Sequence, residues 1–199
     1  MDGPSADLRA RARKLRLCSV ADVRRGESTT HRLLGRRPEP GDEPLYRRLL
    51  LDPVVEEWLR PPPLAPFTAD DATTLLDRDR DHWERYRFGP WVLSDRADNS
   101  FVGRGGLVWS TSPGFMAVEL PWALVPERWN EGLGTEAAVA AVETARLLGL
   151  SEVVALTLRT NTASRRVMDK AGLRLMEEIQ HAGLPHLLYR LKLDAPEAP

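Results

Sequence analysis

Two glycines, Gly132 and Gly134, lie where a predicted strand gives way to a predicted helix. Glycine lets the backbone adopt positive φ angles and approach a ligand closely. The helix predicted from Thr135 to Leu148 would begin with unpaired N–H groups and a partial positive charge, which together bind anions such as a pyrophosphate. Gly149 supplies the expected end of this helix. The junction therefore predicts an anion-binding site.

Several kinds of nucleotide site use such a junction. A P-loop requires Gly-Lys-Ser or Gly-Lys-Thr, and the sequence contains neither. A dinucleotide-binding loop would have a third glycine where this chain has Ala137, although alanine is sometimes tolerated there. That loop should also follow the first strand of a βαβ unit, whereas an antiparallel meander is predicted here. The remaining interpretations are a coenzyme A pyrophosphate site and a tight turn without a ligand.

The spacing of hydrophobic residues changes near residue 90 from the helical period to the strand period. Before this point the sequence predicts one short strand and three helices: Thr30–Arg37, Glu43–Leu51, Val54–Leu59 and a helix that follows the N-cap Thr68. After it the sequence predicts a meander of three strands: Pro90–Ser94, Ser100–Trp109 and Phe115–Val125.

The segment beyond the glycine junction contains a continuous apolar run, Val153–Leu158, which is typical of a strand buried on both faces. A helix over Asn161–Ala171 and two strands, Leu173–Glu178 and His186–Leu193, complete the prediction. This order of elements predicts an α/β (α+β) fold with a mixed central sheet flanked by helices.

The chain is predicted to form one domain over residues 28–193. Residues 1–27 are rich in arginine, and Leu8, Ala12 and Leu15 recur at helical spacing, so this extension is predicted to be helical or disordered. Residues 194–199 are predicted to form a tail.

The composition excludes several functional classes. Among 199 residues, 42% are hydrophobic and 29% charged, as in ordinary globular proteins, and the net charge of −1 gives no reason to expect nucleic acid or an anionic membrane as a partner. The single cysteine, Cys18, cannot form an internal disulfide. No apolar run approaches the ~20 residues of a membrane span or resembles a signal peptide, so a cytoplasmic location is predicted.

A second motif helps to choose between the two remaining interpretations of the junction. Residues 129–137 read Trp-Asn-Glu-Gly-Leu-Gly-Thr-Glu-Ala, and residues 161–173 read Asn-Thr-Ala-Ser-Arg-Arg-Val-Met-Asp-Lys-Ala-Gly-Leu. This pair, separated by a helix and a buried strand, resembles the GNAT N-acetyltransferase superfamily, and most closely its branch of ribosomal-protein N-terminal acetyltransferases. The resemblance covers residues 29–193 approximately.

The resemblance implies the GNAT acyl-CoA N-acyltransferase fold, acetyl-CoA as co-substrate and no metal. Backbone N–H groups of the junction would hold the pyrophosphate, strand residues would pair with the pantetheine amides, and Asn161 would hydrogen-bond the pantetheine arm besides capping its helix. Ser164 would protonate the departing thiolate, the alternative being a hydroxyl on the helix surface. Arg165 and Arg166 would either be solvated or reach CoA phosphates. The implied acetyl-CoA-binding residues are Leu124, Val125, Asn130, Glu131, Gly132, Leu133, Gly134, Thr135, Asn161 and Ser164.

Two residues depart from the pattern of the superfamily. Trp129 stands where glutamine or arginine is common, and Asn130 stands where this branch often has glycine. Neither change removes a backbone donor, so the prediction of CoA binding is retained.

The general base has several candidates in the sequence. Attack by an amine requires a neutral nitrogen, and Glu119, on the strand that enters the junction, is the first candidate. The alternative is a carboxylate that only orients the substrate. Tyr189, His181 and the pair Glu177-Glu178 are further candidates, and a backbone N–H near Val125 would stabilise the oxyanion.

The predicted function is transfer of an acetyl group from acetyl-CoA to a primary amine, by direct attack and without a covalent enzyme intermediate. The acceptor would be a protein N-terminus or a small molecule, and it would contact Trp58–Pro66, the Trp83–Trp91 region and the final hairpin. The competing hypothesis is a catalytically inactive CoA-binding or interaction module. A homodimer is a further hypothesis.

Overall fold

The computed structural model describes residues 20–110 and 116–193, and these form both helices and strands. The helices are α1 (Val20–Arg25), α2 (Glu43–Leu50), α3 (Pro53–Leu59), α4 (Ala69–Tyr86), α5 (Leu133–Leu147) and α6 (Thr162–Lys170). The strands are β1 (Ser28–Thr29), β2 (Leu33–Arg36), β3 (Pro90–Asp95), β4 (Phe101–Gly106), β5 (Val108–Ser110), β6 (Ala117–Glu119), β7 (Trp122–Leu124), β8 (Glu152–Leu158), β9 (Arg174–His181) and β10 (Leu184–Lys192).

The described strands form two five-stranded sheets, with the strand orders β1-β2-β3-β4-β7 and β5-β6-β8-β10-β9. These sheets are called the first and the second ladder below. The first ladder is antiparallel throughout, whereas the second is mixed because β6 and β8 run parallel. The predicted mixed α/β class is confirmed. The hydrogen bonding divides the strands into two ladders where the sequence analysis placed one central sheet.

The division occurs inside the strand predicted over Phe115–Val125. The N–H of Leu120 donates to Val154 O of β8 (2.8 Å), but the next carbonyl, that of Pro121, accepts from Gly106 N of β4 (3.2 Å). Consecutive residues therefore bond to different ladders. Proline favours such a break because it has no N–H to donate to a ladder. Beyond this point β7 pairs with β4 and not with β8, so a gap opens between β7 and β8.

A common core holds the two ladders together. Helix α5 buries a series of alanines, of which Ala138 and Ala141 lie in the same cluster as Val102 of β4, Val153 of β8 and Leu187 of β10. Alanine allows close approach of a helix to strands because it has only a β carbon. The start of α5 is thereby fixed beside the end of β7.

The helix ends follow local rules that the sequence already indicated. Thr68 Oγ1 accepts from Asp71 N (3.2 Å) while the Asp71 carboxylate accepts from Thr68 N (2.8 Å), which completes a capping box at α4. Gly149, with a φ of 72°, follows α5 as predicted. Helix α5 begins at Leu133 rather than Thr135, because Gly132 is its N-cap.

The N-terminal part of the chain is described only from residue 20. Helix α1 buries Val23 against the fold. The helical spacing of Leu8, Ala12 and Leu15, the cysteine Cys18 and the tail 194–199 lie outside the described residues. The division of the chain at residues 27 and 193 stays a prediction. Within residues 20–110 and 116–193, no helix combines the length and the apolar character needed to cross a membrane.

Gly103→Ala should destabilise the fold, because Gly103 lies where β4 passes β7. Its φ is 152°, and an added β carbon would lie 2.2 Å from Ala123 O and 2.8 Å from Leu124 Cα. These are backbone atoms and cannot rotate away, so we expect a loss of roughly 2–3 kcal/mol in the free energy of unfolding. Gly41→Ala is the control, since an added β carbon there meets open space. Equal urea midpoints for the two variants would contradict the proposed close approach of β4 and β7.

Candidate active site

The gap beside β7 contains a cavity of about 480 Å³. It lies between β7, the residues that precede and begin α5, the start of α6 and the end of α3. Its lining includes Trp58, Leu59, Trp122, Ala123, Leu124, Arg128, Trp129, Asn130, Gly132, Leu133, Gly134, Thr135, Asn161, Thr162, Ser164, Arg166, Val167 and Lys170. Most residues of the two sequence motifs therefore surround one cavity.

The residues before α5 have the backbone of an anion-binding turn. Asn130 and Gly132 have φ angles of 63° and 80°. Left-handed residues next to a helix start aim successive N–H groups toward one point, and the helix dipole adds a partial positive charge there. Because these residues line the cavity, this end of it suits a pyrophosphate.

Gly134 leaves space in the cavity. A β carbon at this position would lie 3.6 Å from Val167, 3.7 Å from Leu124 and 4.0 Å from Trp122, which are ordinary contact distances. All three neighbours line the cavity. Nothing in the protein itself therefore excludes a side chain at Gly134; a larger one would instead fill space that a ligand needs. The residues present thus fit a CoA group lying between β7 and α6.

An ion pair between the buried Glu136 and the partly exposed Arg32 supports this turn. The Glu136 carboxylate accepts from Thr30 Oγ1 (2.5 Å), Arg32 N (2.7 Å) and Arg32 Nε (2.8 Å). Burial alone would raise the pKa of Glu136, but these hydrogen bonds and the charge of Arg32 hold it below the usual value for glutamate. Arg32 also donates from Nη1 to Glu131 O (2.8 Å), so the ion pair fixes the backbone before Gly132.

Glu131 is the predicted CoA-binding residue that the geometry supports least. Its side chain is exposed and pairs with Arg128 (3.1 Å), its carbonyl accepts from Arg32, and it does not line the cavity. Sequence reasoning treated Glu131 as part of the ligand site and missed Glu136. The position of Glu136, an acidic residue in the first turn of the helix, was the available signal for a structural role. The residues that bond to Glu136 lie about a hundred residues earlier in the chain, so the sequence did not show them.

The free edge of β7 supplies backbone donors to the cavity. Val125 donates its N–H to Val102 O of β4 (3.0 Å) and accepts from Arg128 N (3.0 Å). Backbone direction alternates along an antiparallel strand, so the N–H groups of Leu124 and Trp122 point away from β4 and into the gap. The predicted pairing with pantetheine is therefore available at Leu124. It is not available at Val125, whose polar backbone groups are both used within the chain and whose side chain is buried.

Trp129 closes the end of this edge. Its indole Nε1 donates to Leu124 O (2.7 Å), and the ring packs against the core while lining the cavity. The departure from glutamine or arginine noted in the sequence therefore has a structural role. The indole occupies the carbonyl of Leu124, so the backbone N–H of Leu124 is the group that can still bond to a ligand.

Helix α6 forms the opposite wall. Asn161 Oδ1 accepts from Ser164 N (3.0 Å), as predicted for an N-cap, which leaves the side-chain amide of Asn161 free to donate toward the cavity. Arg166 and Lys170 are exposed, lie one turn apart and line the same cavity. Arg165 lies elsewhere, with Nε donating to the Tyr189 hydroxyl (3.4 Å). Arg166 and Lys170 are therefore the cations of α6 that line this cavity.

A second cavity of about 170 Å³ adjoins the first. The two share the lining residues Trp58, Leu59, Trp122, Ala123, Asn161 and Ser164. The smaller cavity alone is lined by Leu49, Leu50, Leu75, Arg104, Glu119, Leu120, Pro121, Leu156, Thr157, Leu158 and His186. The predicted base and the predicted proton donor, Glu119 and Ser164, are thus both on its surface.

Glu119 occupies an environment suited to a base. Burial raises the pKa of Glu119 above the usual value for glutamate, while a hydrogen bond from Ser110 and the charges of Arg104 and His186 act in the opposite direction. A carboxylate with a raised pKa accepts a proton more readily near neutral pH.

The other candidates for the base lie away from both cavities. Tyr189 is 2% exposed and belongs to the core. Glu177 and Glu178 are exposed on β9, where Glu178 pairs with Arg159. His181 packs its ring edge-on against His186, with 5.2 Å between ring centroids.

His186 is the residue of the final hairpin that reaches the smaller cavity, and sequence reasoning missed it. It lies opposite Leu158 in the β8–β10 ladder, a position that depends on long-range pairing. Trp58, from one of the segments expected to contact the acceptor, lines both cavities, and its contact with an acceptor stays a prediction. Trp83 and Trp91 are instead buried in the core, so the expected contact at residues 83–91 is wrong at these two tryptophans.

No cluster of three or more His, Cys, Asp or Glu residues in the described parts of the chain is placed to hold a metal ion.

The chain is similar to known acetyltransferases. A family model described as Acetyltransferase (GNAT) domain matches residues 32–174. The uncharacterized N-acetyltransferase YnaD of Bacillus subtilis (strain 168) is 29% identical over 148 residues, which are 73% of this chain and 81% of that protein.

Solved structures share the fold. A GnaT-family acetyltransferase from Bordetella pertussis has a TM-score of 0.69 and 24% identity, covering 82% of this chain and 98% of that one. RimJ of Mycobacterium smegmatis, solved in complex with CoA-disulfide, has a TM-score of 0.64 and 19% identity, covering 80% and 81%. The predicted GNAT fold is therefore confirmed.

Gly134→Val should abolish the stabilisation of the protein by acetyl-CoA. A ligand at a hundredfold excess over its Kd stabilises the folded state by about 2.7 kcal/mol, which thermal denaturation detects. The valine would fill the space beside Val167 and Leu124, so the ligand-induced shift in Tm should disappear. The unliganded variant should be at least as stable as wild type, because glycine is the poorer helix former.

Gly134→Ala is the graded control, since its single methyl group reaches only ordinary contact distances. It should retain part of the shift in Tm. A full shift in Gly134→Val would show that acetyl-CoA binds elsewhere.

Proposed function

The chain belongs to the GNAT acetyltransferase family, whose members depend on acetyl-CoA, and from this premise we propose that it acetylates a primary amine by direct attack on the thioester. The observation that carries the proposal is the junction of two cavities. One has an anion-binding turn and a free strand edge, the other contains a carboxylate with a raised pKa, and they meet at Ala123, Asn161 and Ser164.

The larger cavity is proposed to hold the co-substrate. The pyrophosphate would accept hydrogen bonds from the N–H groups at the start of α5, with Arg166 and Lys170 near its charge. The pantetheine arm would lie along β7, where the Leu124 N–H and the Asn161 amide face the gap. This arrangement supports placing the thioester where the two cavities meet.

The reaction forms a bond between the amine nitrogen and the acetyl carbonyl carbon, and it breaks the bond from that carbon to sulfur. Glu119 would take the proton that the amine loses. The Trp122 N–H, which also faces the gap where the two cavities meet, is proposed to stabilise the charge on the carbonyl oxygen, because the Val125 N–H is already used in the ladder and the Leu124 N–H is assigned to pantetheine. Ser164, which lines both cavities, would give a proton to the thiolate of CoA.

The acceptor is proposed to be a protein N-terminus or a small-molecule amine. We also propose that the protein works in the cytoplasm, where acetyl-CoA is available to it. Dimerisation stays a hypothesis from the sequence.

Glu119→Gln should lower kcat by roughly 10²–10⁴-fold, because glutamine keeps the shape of the side chain but cannot accept the amine proton. The KM for acetyl-CoA should change little, since Glu119 lines only the smaller cavity. The measurement is release of the CoA thiol across a panel of amines. Glu177→Gln is the matched control, because Glu177 is exposed and lies outside both cavities.

The pH profile tests the same assignment. Since burial raises the pKa of Glu119, activity should be lost on acidification at a pH above the usual pKa of glutamate, and Glu119→Gln should lose this acid limb. An unchanged kcat in Glu119→Gln would move the base to another residue. No thiol release by wild-type protein that binds acetyl-CoA, across the whole panel, would favour a non-catalytic CoA-binding module.

A further inference from the structure

Ser110 of β5 lies beside the candidate base, Glu119 of β6. Glu119 is paired with Val108 across these two strands, so Ser110, two residues further along β5, is its diagonal neighbour on the same face. Such neighbours are roughly 7–8 Å apart, a distance that a long side chain can span. The Ser110 hydroxyl donates a hydrogen bond to the Glu119 carboxylate. Ser110 is 8% exposed, so this donor is largely shielded from water.

Two charged or titratable groups face Glu119 from other strands around the smaller cavity, namely Arg104 of β4 and His186 of β10. Both act on the carboxylate through their charge. The charge of Arg104 is already paired with Asp79, to which its Nη2 donates (2.6 Å). Among these neighbours of Glu119, Ser110 is the one that holds the carboxylate by a directed hydrogen bond.

His82 of α4 fixes the strand that carries Ser110. β5 is the edge strand of the second ladder, and the N–H of Trp109 donates to His82 Nε2 (2.9 Å). The other ring nitrogen, Nδ1, lies 2.8 Å from the carbonyl oxygen of Phe88, so Nδ1 carries the proton and Nε2 accepts. Burial lowers the pKa of His82, which favours this neutral form. The residue next to Ser110 is thus anchored to α4.

The hydrogen bond from Ser110 has a chemical consequence for Glu119. A hydroxyl that donates to a carboxylate stabilises the ionised form, which is the form that can accept the amine proton. The bond is also directional, so it restricts the orientation of the carboxylate. Burial and Ser110 therefore act in opposite directions on the pKa of Glu119: burial makes the carboxylate more basic, and Ser110 limits the loss of its charge.

We propose that Ser110 is a positioning residue for acetyl transfer, which orients the Glu119 carboxylate at the smaller cavity and favours its ionised form. Ser110 lines neither cavity, so it acts through Glu119 and not by touching a substrate. This inference rests on the proposed function, because it takes Glu119 as the base.

Ser110→Ala removes the hydroxyl and should raise the pKa of Glu119 by about one unit, the scale of a hydrogen bond to a charged group. This pKa is measured without turnover, by NMR titration of the side-chain carboxyl carbon, whose resonance is assigned by its absence in Glu119→Gln. Activity requires ionised Glu119 and is lost as the pH falls through its pKa. The acid limb of kcat, measured with both substrates saturating, should therefore move to higher pH by a similar amount.

Two variants serve as controls. Ser110→Thr retains the hydroxyl, so the pKa of Glu119 and the acid limb should stay near their wild-type positions. Ser94→Ala is the matched control, because Ser94 Oγ donates to Leu34 O of the first ladder (3.5 Å) and Ser94 lines neither cavity. It should move neither quantity. The amine and His82 are the same in all these variants, so their own protonation cannot produce a difference between them.

The outcomes separate the inference from the proposed function. An unchanged pKa of Glu119 in Ser110→Ala would overturn the inference and leave acetyl transfer intact. An equal shift in Ser94→Ala would also overturn it, because the effect would then not belong to the bond from Ser110. A raised pKa with an unmoved acid limb would show that Glu119 is not the base, which refutes that assignment and the inference with it. Acetylation of no amine by wild type would refute the proposed function itself.

Discussion

The site depends on a change of partner within one strand. Leu120 bonds to β8, and the following residue, Pro121, bonds to β4. An unbroken strand would satisfy every backbone group and leave no room beside it. Because β7 is the edge strand of the first ladder, its outer edge keeps unpaired N–H donors. The space between β7 and β8 forms a cavity that reaches the start of α5. The proposed cofactor binding and the proposed catalysis both depend on that separation.

Charge is arranged so that the ligand end of the cavity is positive while the protein remains near neutral overall, with a net charge of −1. Glu136 lies in the first turn of α5, where a free carboxylate would oppose an anionic ligand. Arg32 neutralises it through two contacts and holds the backbone of Glu131 as well. At the smaller cavity the charge of Arg104 is likewise paired with a buried acid, Asp79.

Local features were predictable from the sequence, and long-range features were not. The N-cap at Asn161 and the helix end at Gly149 follow rules that act over a few residues. The position of His186 depends on its pairing with β8, distant in the chain, so no local pattern indicates it. Pro121 was a visible signal for the break in the predicted strand 115–125, because proline rarely occupies a central strand. The sequence alone could not show which ladder each half would join.

The measurement that tests the account most directly is calorimetric titration of the wild-type protein with acetyl-CoA, with ATP as a control nucleotide. The account predicts one binding site with a Kd in the micromolar range, comparable to the usual range of KM values, and no comparable binding of ATP, because the pantetheine arm would contribute contacts along β7. Folded protein that binds neither acetyl-CoA nor CoA would contradict the assignment of the larger cavity and leave the family fold without its expected ligand.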